Sequence, residues 1–420
     1  MRRLVLAATV IVIGLSSAGA GADTADAAID PLRDVQWALD AIHLGDLGRR
    51  APQAAPSGAG TLVAVVDSGV DASHPDLAGR VVRGPDLVDG DSIPDDLNGH
   101  GTHVAGLIAA AADNGIGGSG VAPSARILAI RVLDAENTGT PAHVASGIDA
   151  AVTLGADIIN LSLNWPAPSA ALIPVTAAMK RAADAGVAVI VAAGNDAKSS
   201  CEEPFLPERA LCVGAVDGDL QRAPFSSHGS GLGIVAPGDN LMSTWRGGDY
   251  NSVSGTSQSA AVASGVGALL VGLGLHGQSV IDRLATTARD IGTPGPDSAT
   301  GNGLLDADRA VEGAAQGTVP PLLRVTAPAR ATARVVAQRG LKISCDAARP
   351  GACNVRLRIG AKVVAKGSGP ADGAGTVTVV ARATSAGRKL LRTTRSRRAT
   401  VEGSLTGAPG ARSRLTLRTR

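Results

Sequence analysis

Apolar runs alternate with amphipathic stretches through the first three quarters of the chain. Five runs are apolar at most positions, as expected of strands buried on both faces: Leu62–Val66, Arg126–Val132, Ile158–Leu161, Ala188–Ala192 and Ala210–Val216. Stretches with helical character lie between and after them: Val104–Ala112, His143–Leu154, Ile173–Ala185 and Ser259–Leu273. This alternation predicts an α/β fold, a mostly parallel sheet with helices on both faces.

The pattern changes beyond residue 316. Three prolines, Pro320, Pro321 and Pro328, indicate a linker over residues 317–330. Alternating apolar and polar positions in 355–364, 375–383 and 413–419 then predict a small all-β domain, β-sandwich-like, over residues 331–420. We assign residues 61–316 to the α/β domain and residues 23–60 to an N-terminal arm that precedes it.

Charge divides along the same boundary, although the formal net charge is only +2. From residue 321 onward there are 21 Lys and Arg against three acidic residues, whereas the preceding part has 18 basic and 34 acidic residues. No aromatic residue follows Tyr250, so the stacking platform of single-strand nucleic-acid binders is missing and we expect no specific nucleic-acid partner. This basic surface could bind anionic cell-envelope polymers or the acidic α/β domain itself, or it could contact solvent alone.

The first residues resemble an export signal. Arg2 and Arg3 precede the apolar stretch Leu4–Leu15, and small residues follow it up to Ala22. A spanning helix needs about 20 apolar residues, so we interpret residues 1–22 as a cleaved signal peptide. No later segment is long and apolar enough for an anchor. We therefore expect a secreted or cell-envelope-associated monomer with no membrane span after the signal is removed.

The four cysteines fall into two close pairs, Cys201 with Cys212 and Cys345 with Cys353. An even count in an exported chain favours disulfides, and each pair would close a local loop, the second one a hairpin of the β-domain. A metal site formed by these cysteines is less favoured than disulfides, because neither a Cys-x-x-Cys spacing nor a nearby His cluster occurs.

Three segments supply an acid, a base and a nucleophile. Asp67 ends the first apolar strand, His100 lies between Gly99 and Gly101 before a helical stretch, and Ser257 precedes the apolar run 259–273. A serine hydroxyl becomes an effective nucleophile when a base removes its proton and a third group orients that base. Each residue alone is more often a cap, a turn residue or a structural histidine, but the order and the setting of the three together favour catalysis.

Asn195 adds a fourth candidate, since it follows the strand Ala188–Ala192 and the turn residue Gly194. A carboxamide at this position can donate an N–H to the oxyanion of a tetrahedral intermediate. Losing such a donor costs about 10²–10³ in rate, a figure measured on a subtilisin.

With these four segments, the chain resembles a subtilisin-family (subtilase) serine peptidase. The segments 120–125 and 157–163 also match that family, and the resemblance covers roughly residues 30–312. It implies a subtilisin-like fold, a triad of Asp67, His100 and Ser257, and an oxyanion hole formed by Asn195 and the Ser257 backbone N–H. No separate propeptide domain is expected, because the stretch between Ala22 and Thr61 is short.

The resemblance also implies substrate-binding residues at two strand ends. Ser162, Leu163 and Asn164 match the edge strand that pairs with a substrate backbone, and such pairing selects weakly for side chains. The residues implied for the opposite wall of the first specificity pocket are Ala192, Ala193 and Gly194. The family usually has Gly where this chain has Asn164, so a side chain there would narrow the pocket.

A structural calcium ion is the cofactor that the resemblance implies. Calcium takes six to eight oxygen ligands, several of them backbone carbonyls. The implied ligand set is Asp30, Asp76, Asn114 and the carbonyls of Ala112, Ile116 and Gly118. A Gly- and Asn-rich turn that binds no metal is the alternative for this loop.

The resemblance and the export signal together lead us to expect a secreted serine endopeptidase acting on polypeptide substrates. Two other hypotheses stand beside it. The chain could be a catalytically weak cell-surface binding protein that works through its basic β-domain, or a processing peptidase with one native target.

Overall fold

The computed structural model of the chain describes residues 29–45, 56–164, 170–199, 201, 206 and 209–314, and then 323–326, 330–339, 341–347, 351–359, 362–371, 375–393, 396–405 and 408–418. The predicted signal peptide, residues 1–22, lies outside these ranges. No helix in the described ranges has both the length and the apolar character to cross a bilayer.

A seven-stranded parallel sheet forms the centre of the first part. Its strands are β1 (Leu62–Asp67), β2 (Val81–Asp86), β3 (Arg126–Arg131), β4 (Ile158–Leu161), β5 (Ala188–Ala192), β6 (Ala210–Val216) and β7 (Ile234–Pro237), in the spatial order β2-β3-β1-β4-β5-β6-β7. Every pairing is parallel, so the carboxyl ends of all seven strands lie at one edge. The five predicted strands and the parallel α/β architecture are confirmed.

Helices cover both faces of this sheet. They are α1 (Trp37–Ala41), α2 (His100–Ala109), α3 (Pro141–Thr153), α4 (Ile173–Asp184), α5 (Thr256–Gly272), α6 (Gln278–Thr287) and α7 (Ala307–Val311). Alternate residues of each strand enter opposite cores: in β1, Val63 and Val65 pack with α2 and α5, and Ala64 and Val66 pack with α3 and α4. This two-sided burial explains why the central strands are apolar throughout.

A β-hairpin holds α2 from the side away from the sheet. Its strands are β8 (Leu241–Trp245) and β9 (Asp249–Val253), which pair antiparallel. Ser243 Oγ donates to the carbonyl of His103 at 2.9 Å, and Thr244 Oγ1 donates to the carbonyl of Thr102 at 2.7 Å. The hairpin therefore fixes the first turns of α2 through hydrogen bonds to backbone carbonyls of the helix. The pattern of apolar and polar residues along the sequence does not predict such bonds.

The C-terminal part forms a second sheet of eight strands. These are β10 (Leu323–Thr326), β11 (Arg330–Thr332), β12 (Leu341–Ala347), β13 (Gly351–Ile359), β14 (Lys362–Ala371), β15 (Gly375–Ala383), β16 (Ser396–Leu405) and β17 (Ala408–Arg418). Their order is β10-β12-β15-β14-β13-β16-β17-β11, and all pairs are antiparallel except β11 with β17. The separate sheet is as predicted.

Several details of this part differ from the sequence-based expectations. Strand β10 lies inside the predicted linker, and the predicted strand 355–364 spans the turn between β13 and β14. Two helices, α8 (Ala333–Arg339) and α9 (Ser385–Thr393), accompany the sheet, so the region is not purely β. Cys345 and Cys353 lie on β12 and β13, which do not pair with each other, so they do not close a hairpin. Their side chains lie outside the description.

Candidate active site

Asp67 ends β1 at the carboxyl edge of the parallel sheet, where such folds place their ligands. The side chain is fully buried. Its Oδ1 accepts hydrogen bonds from Nδ1 of His100 and from the Ser68 backbone N–H, each at 2.7 Å. Its Oδ2 has no partner among the described residues. The buried carboxylate is therefore aimed at one ring nitrogen of His100.

His100 is the first residue of α2. Gly99 has a φ of +117°, and a Cβ there would overlap the Trp245 ring, while a Cβ on Gly101 would overlap the carbonyl oxygen of Gly69. The two glycines thus allow the close packing that sets the position of His100. Because Asp67 accepts the Nδ1 proton, the neutral imidazole presents an unprotonated Nε2.

The pKa of His100 is raised by its surroundings. Burial disfavours the charged ring, but the charge and hydrogen bond of Asp67, with a smaller contribution from the charge of Asp96, outweigh it. His103, one helical turn further on, behaves in the opposite way: burial lowers its pKa to about 4. At neutral pH His103 is therefore uncharged, and its Nε2 lies 3.0 Å from the Leu241 carbonyl and 3.1 Å from that of Asn251.

Asp96 is a functional candidate that our sequence analysis missed. Its Oδ1 accepts from Ser68 Oγ (2.9 Å) and from the backbone N–H groups of Asn98 (2.9 Å) and Gly99 (2.7 Å). Its Oδ2 accepts from the N–H and the hydroxyl of Thr102, at 2.9 and 2.6 Å. A single buried carboxylate thus holds the loop that leads into α2, and no pattern in the sequence singled it out.

Ser257 lies in the first turn of α5, a helix that is buried almost throughout. Its Oγ donates to the carbonyl of Ser162 at 3.1 Å, and the Ser162 hydroxyl donates to the Ser257 carbonyl at 2.7 Å. No hydrogen bond between Ser257 Oγ and His100 Nε2 is present among the described contacts. Helices α2 and α5, which carry the two residues in their first turns, pack against each other. The Ser257 hydroxyl is thus hydrogen-bonded to Ser162, and a rotation about the Cα–Cβ bond of Ser257 would free it from this contact.

Asn195 follows β5 and faces the start of α5. Its Oδ1 accepts from the N–H and the hydroxyl of Thr256, at 2.9 and 3.0 Å. Its Nδ2 has no partner among the described residues, and it would lie 3.3 Å from a Cβ built on Gly255. The amide is therefore held by its oxygen and leaves its N–H₂ group available beside the Ser257 backbone.

The predicted substrate-binding residues occupy the ends of two adjacent strands. Ser162, Leu163 and Asn164 follow β4, and Ala192, Ala193 and Gly194 end or follow β5. Asn164 is exposed. Its Oδ1 lies only 3.2 Å from where a Cβ on Gly194 would be, so its side chain reaches across to the opposite wall.

The predicted metal loop brings its members together. The Asp30 carboxylate accepts four hydrogen bonds, from the N–H groups of residues 113–115 and from Ser119 Oγ, at 2.8–3.0 Å. Asp76 Oδ1 accepts from Asn114 Nδ2 at 2.7 Å, and Asp76 Oδ2 accepts from Tyr250 Oη at 3.1 Å and from the Gly118 N–H at 3.2 Å. Burial raises the pKa of Asp76 against the effect of these donors.

Two observations bear on whether a cation fits this loop. Asp30 and Asp76 are both buried, and neither forms a salt bridge with a described residue. The carbonyl oxygens of Ala112, Ile116 and Gly118 accept no hydrogen bond from any described donor. The described residues contain no group of three His, Cys, Asp or Glu arranged for a metal, so amide and carbonyl oxygens would have to complete the set. Buried charge without a counter-charge and free hard oxygens fit Ca²⁺.

The disulfide between Cys201 and Cys212 is present, as predicted. It joins the loop after β5 to β6, with a Cα–Cα distance of 6.1 Å. The bridge thus ties the segment beyond Asn195 to a central strand.

Comparison with known proteins identifies the family to which the chain belongs. The subtilase family (peptidase S8) matches residues 58–303, and the chain belongs to that family. The class of protein is therefore a subtilisin-like serine endopeptidase.

Among individual relatives, thermitase of Thermoactinomyces vulgaris is 40% identical over 248 residues, 59% of this chain and 88% of that protein. Subtilisin BL of Lederbergia lenta is 41% identical over 256 residues, 60% of this chain and 91% of that protein. A thermophilic serine proteinase of a Bacillus species is 42% identical over 236 residues, 56% of this chain, and the match spans only 58% of that relative.

Solved structures give the same result. A cold-adapted subtilisin-like serine proteinase superposes with a TM-score of 0.54 at 33% identity, covering 60% of this chain and 90% of that one. A protease of Pseudoalteromonas arctica superposes with a TM-score of 0.60 at 28% identity, covering 69% of this chain and 99% of that one. The match to the subtilase family ends at residue 303, before the C-terminal sheet begins.

Proposed function

We propose that Ser257 is the nucleophile, His100 the general base and Asp67 the residue that orients the base. The observation that carries this proposal is the 2.7 Å hydrogen bond from His100 Nδ1 to the buried Asp67, which fixes the tautomer with a free Nε2. Turned away from Ser162, the Ser257 hydroxyl gives its proton to Nε2 and attacks the peptide carbonyl. The imidazolium then returns the proton to the leaving amine.

The oxyanion of the tetrahedral intermediate would be bound by Asn195 Nδ2 and the Ser257 backbone N–H. The two hydrogen bonds that Thr256 donates to Asn195 Oδ1 support this role, because they prevent the side-chain amide of Asn195 from rotating. The Ser257 N–H is among the first N–H groups of α5, which have no partner within the helix and lie at its positive end. Two fixed donors at this point need no rearrangement as negative charge develops.

The substrate would lie extended along residues 162–164, with its first specificity pocket between that segment and residues 192–194. The reach of Asn164 toward Gly194 supports a pocket that favours small side chains at the residue before the cleaved bond. Backbone pairing with the substrate accounts for most of the remaining contact, so we expect cleavage of many extended polypeptides.

We further propose export of the chain, which rests on the charge and hydropathy of residues 1–22. A structural calcium ion would be held by Asp76, Asn114 and the carbonyls of residues 112, 116 and 118, with Asp30 adding negative charge. The ion would neutralise the two buried carboxylates and hold the loop against the N-terminal arm, and it would take no part in the chemistry.

Replacing Ser257 with Ala tests the function directly. In subtilisin, a relative, loss of this serine lowers kcat by about 10⁶, so we expect casein hydrolysis and labelling by a fluorophosphonate to disappear. Ser252→Ala is a matched control, because that serine is exposed on β9. Undiminished casein cleavage by the folded Ser257→Ala protein would exclude the assignment. Labelling at Ser257 in the parent protein also separates an active peptidase from a binding protein with a vestigial site.

A further inference from the structure

The register of the C-terminal sheet places basic residues opposite one another on adjacent strands. Arg382 of β15 faces Lys366 of β14, which in turn faces Arg356 of β13. The row continues with Glu402 of β16 and Arg412 of β17. Directly opposite residues share one side of a sheet, so this row crosses five strands on a single face.

The two faces of this sheet differ sharply in character. Arg356, Lys366 and Arg382 are exposed. Their sequence neighbours turn to the other side and are buried: Val355 (1% exposed), Leu357 (0%), Ala365 (0%) and Ala381 (0%). Helices α8 and α9 also contribute buried side chains, Val336 and Leu391. One face is thus an apolar core and the other is a solvent-facing basic surface.

The basic character extends along the strands beyond the row. Two residues further along β13, Arg358 is paired in register with Thr400 of β16, and Thr400 with Arg414 of β17. Positions two apart on a strand lie on the same face, so the register places Arg358 and Arg414 on the face that carries the first row. We call the three exposed residues Arg356, Lys366 and Arg382 the basic face.

Like charges placed directly opposite each other destabilise a sheet, because their side chains are about 5 Å apart. The exposed side chains of Arg356, Lys366 and Arg382 form no ion pair with a described residue, including those of the acidic peptidase domain. On β13, β14 and β15 these three like charges therefore lie opposite one another without an ion-pair partner, and an external anion would relieve their repulsion. A partner with regularly spaced negative charges matches this row of exposed basic residues on three adjacent strands.

We propose that the basic face binds a linear, base-free phosphodiester polymer of the kind found in cell envelopes. Arginine suits phosphate because its guanidinium forms paired hydrogen bonds with phosphate oxygens. A single-stranded nucleic acid fits less well, because such strands are gripped by aromatic stacking and no aromatic residue follows Tyr250. Binding would retain the peptidase at the surface that carries the polymer, independently of catalysis.

The test measures binding of the full-length chain to fluorescent poly(glycerol phosphate), in a Ser257→Ala background that removes self-cleavage. The face variant combines Arg356→Glu, Lys366→Glu and Arg382→Glu. The matched control carries the same charge change on the helices that accompany the sheet, as Arg339→Glu, Arg388→Glu and Lys389→Glu, all at exposed positions. Thermal melting establishes that each variant is folded, and restoring Ser257 establishes that each still cleaves casein.

We expect the face variant to bind at least about a hundredfold more weakly: removing three basic residues near an anionic surface costs roughly fivefold each, and the introduced glutamates add repulsion. The control should bind as the parent does, and the parent's affinity should fall steeply with salt. Equal loss in both variants, or no loss in the face variant, would refute the proposal. Equal affinity for polyglutamate of matched charge would refute phosphate recognition, and tighter binding of duplex DNA would assign the face to nucleic acid instead.

Discussion

Replacing Asp96 with Asn removes one buried charge near His100 while keeping the size of the side chain. The carboxylate is 7% exposed and accepts five hydrogen bonds, three of them from backbone N–H groups around His100. The oxygen of an asparagine side chain can accept the three hydrogen bonds that Oδ1 of Asp96 now accepts. Its NH₂ group would then point at the Thr102 N–H, which is also a donor. One buried donor loses its acceptor as a result.

The expected cost in stability follows from that exchange. A buried N–H without an acceptor costs about 1–3 kcal/mol. Loss of a negative charge at the start of α2 adds about 0.3–1 kcal/mol. The sum, about 1.3–4 kcal/mol, corresponds to a melting temperature lower by about 3–16 °C for a domain of this size. The variant should therefore remain folded at 25 °C.

The informative readout is the pH dependence of kcat/KM. Two carboxylates, Asp67 and Asp96, favour the charged form of His100, while the neighbouring His103 is neutral and the Arg131 guanidinium is engaged with Asp86 and Asp89. Removing the charge of Asp96 lowers the pKa of His100. The neutral base is then present at lower pH, so the acid limb of the profile moves to lower pH.

The control is Asp95→Asn, which makes the same charge change at a carboxylate that is 58% exposed and 3.7 Å from Arg83. Solvent screens that charge, so its acid limb should stay in place. A folded Asp96→Asn enzyme whose acid limb is unmoved, or has moved to higher pH, would show that Asp96 does not act on His100 through its charge.

Three further predictions concern specificity, the disulfide and the metal loop. Asn164→Gly should raise the ratio of kcat/KM for peptides with Phe before the cleaved bond to kcat/KM for peptides with Ala by about tenfold or more, because it opens space for one or more additional methylene groups beside Gly194. An unchanged ratio would mean that Asn164 does not limit the size of the pocket. Replacing Cys201 and Cys212 by Ser opens a loop with a sequence separation of 11 and should cost about 3 kcal/mol, seen as a melting temperature lower by about 6–12 °C; equal melting of the parent with and without reductant would contradict this. Removing calcium with EDTA should lower the melting temperature by about 5–10 °C, the effect of losing a ligand at a hundred times its Kd, and Asp76→Asn should abolish that difference; identical melting of the parent with EDTA and with calcium would leave the loop a metal-free turn.

The parts of the fold that could be predicted are those buried on both sides. Strands β1, β3, β4, β5 and β6 are apolar runs in the sequence because helices cover them above and below. Strand β2 was missed because it is half exposed and contains Gly84 and Pro85, and β7 because its short apolar run follows Gly233 and ends at Pro237, residues typical of turns. The β8–β9 hairpin was missed because β9 is mostly exposed and polar.

The site shows a similar division. Asp67, His100, Asn195 and Ser257 could be proposed because each lies in a recognisable local sequence. Asp96 could not, and neither could the contact between Ser162 and Ser257, because both depend on backbone groups: Asp96 accepts hydrogen bonds from N–H groups of the loop before α2, and the carbonyl of Ser162 accepts one from the Ser257 hydroxyl. Which backbone groups are free depends on how the loops turn, and residue type alone does not encode that.

The raised pKa of His100 sets stability and activity against each other along the pH scale. Protonated His100 is held more strongly in the folded chain than in the unfolded one, so its contribution to stability is complete below the ordinary value of 6.5. That contribution is lost as the pH rises through the pKa of the folded state. The same loss of a proton produces the neutral base that the proposed mechanism requires. The carboxylates that stabilise the charged ring raise the pKa of His100, which makes the neutral ring a stronger base. The same shift keeps the ring protonated up to a higher pH, so in the proposed mechanism the activity at acidic pH is lower.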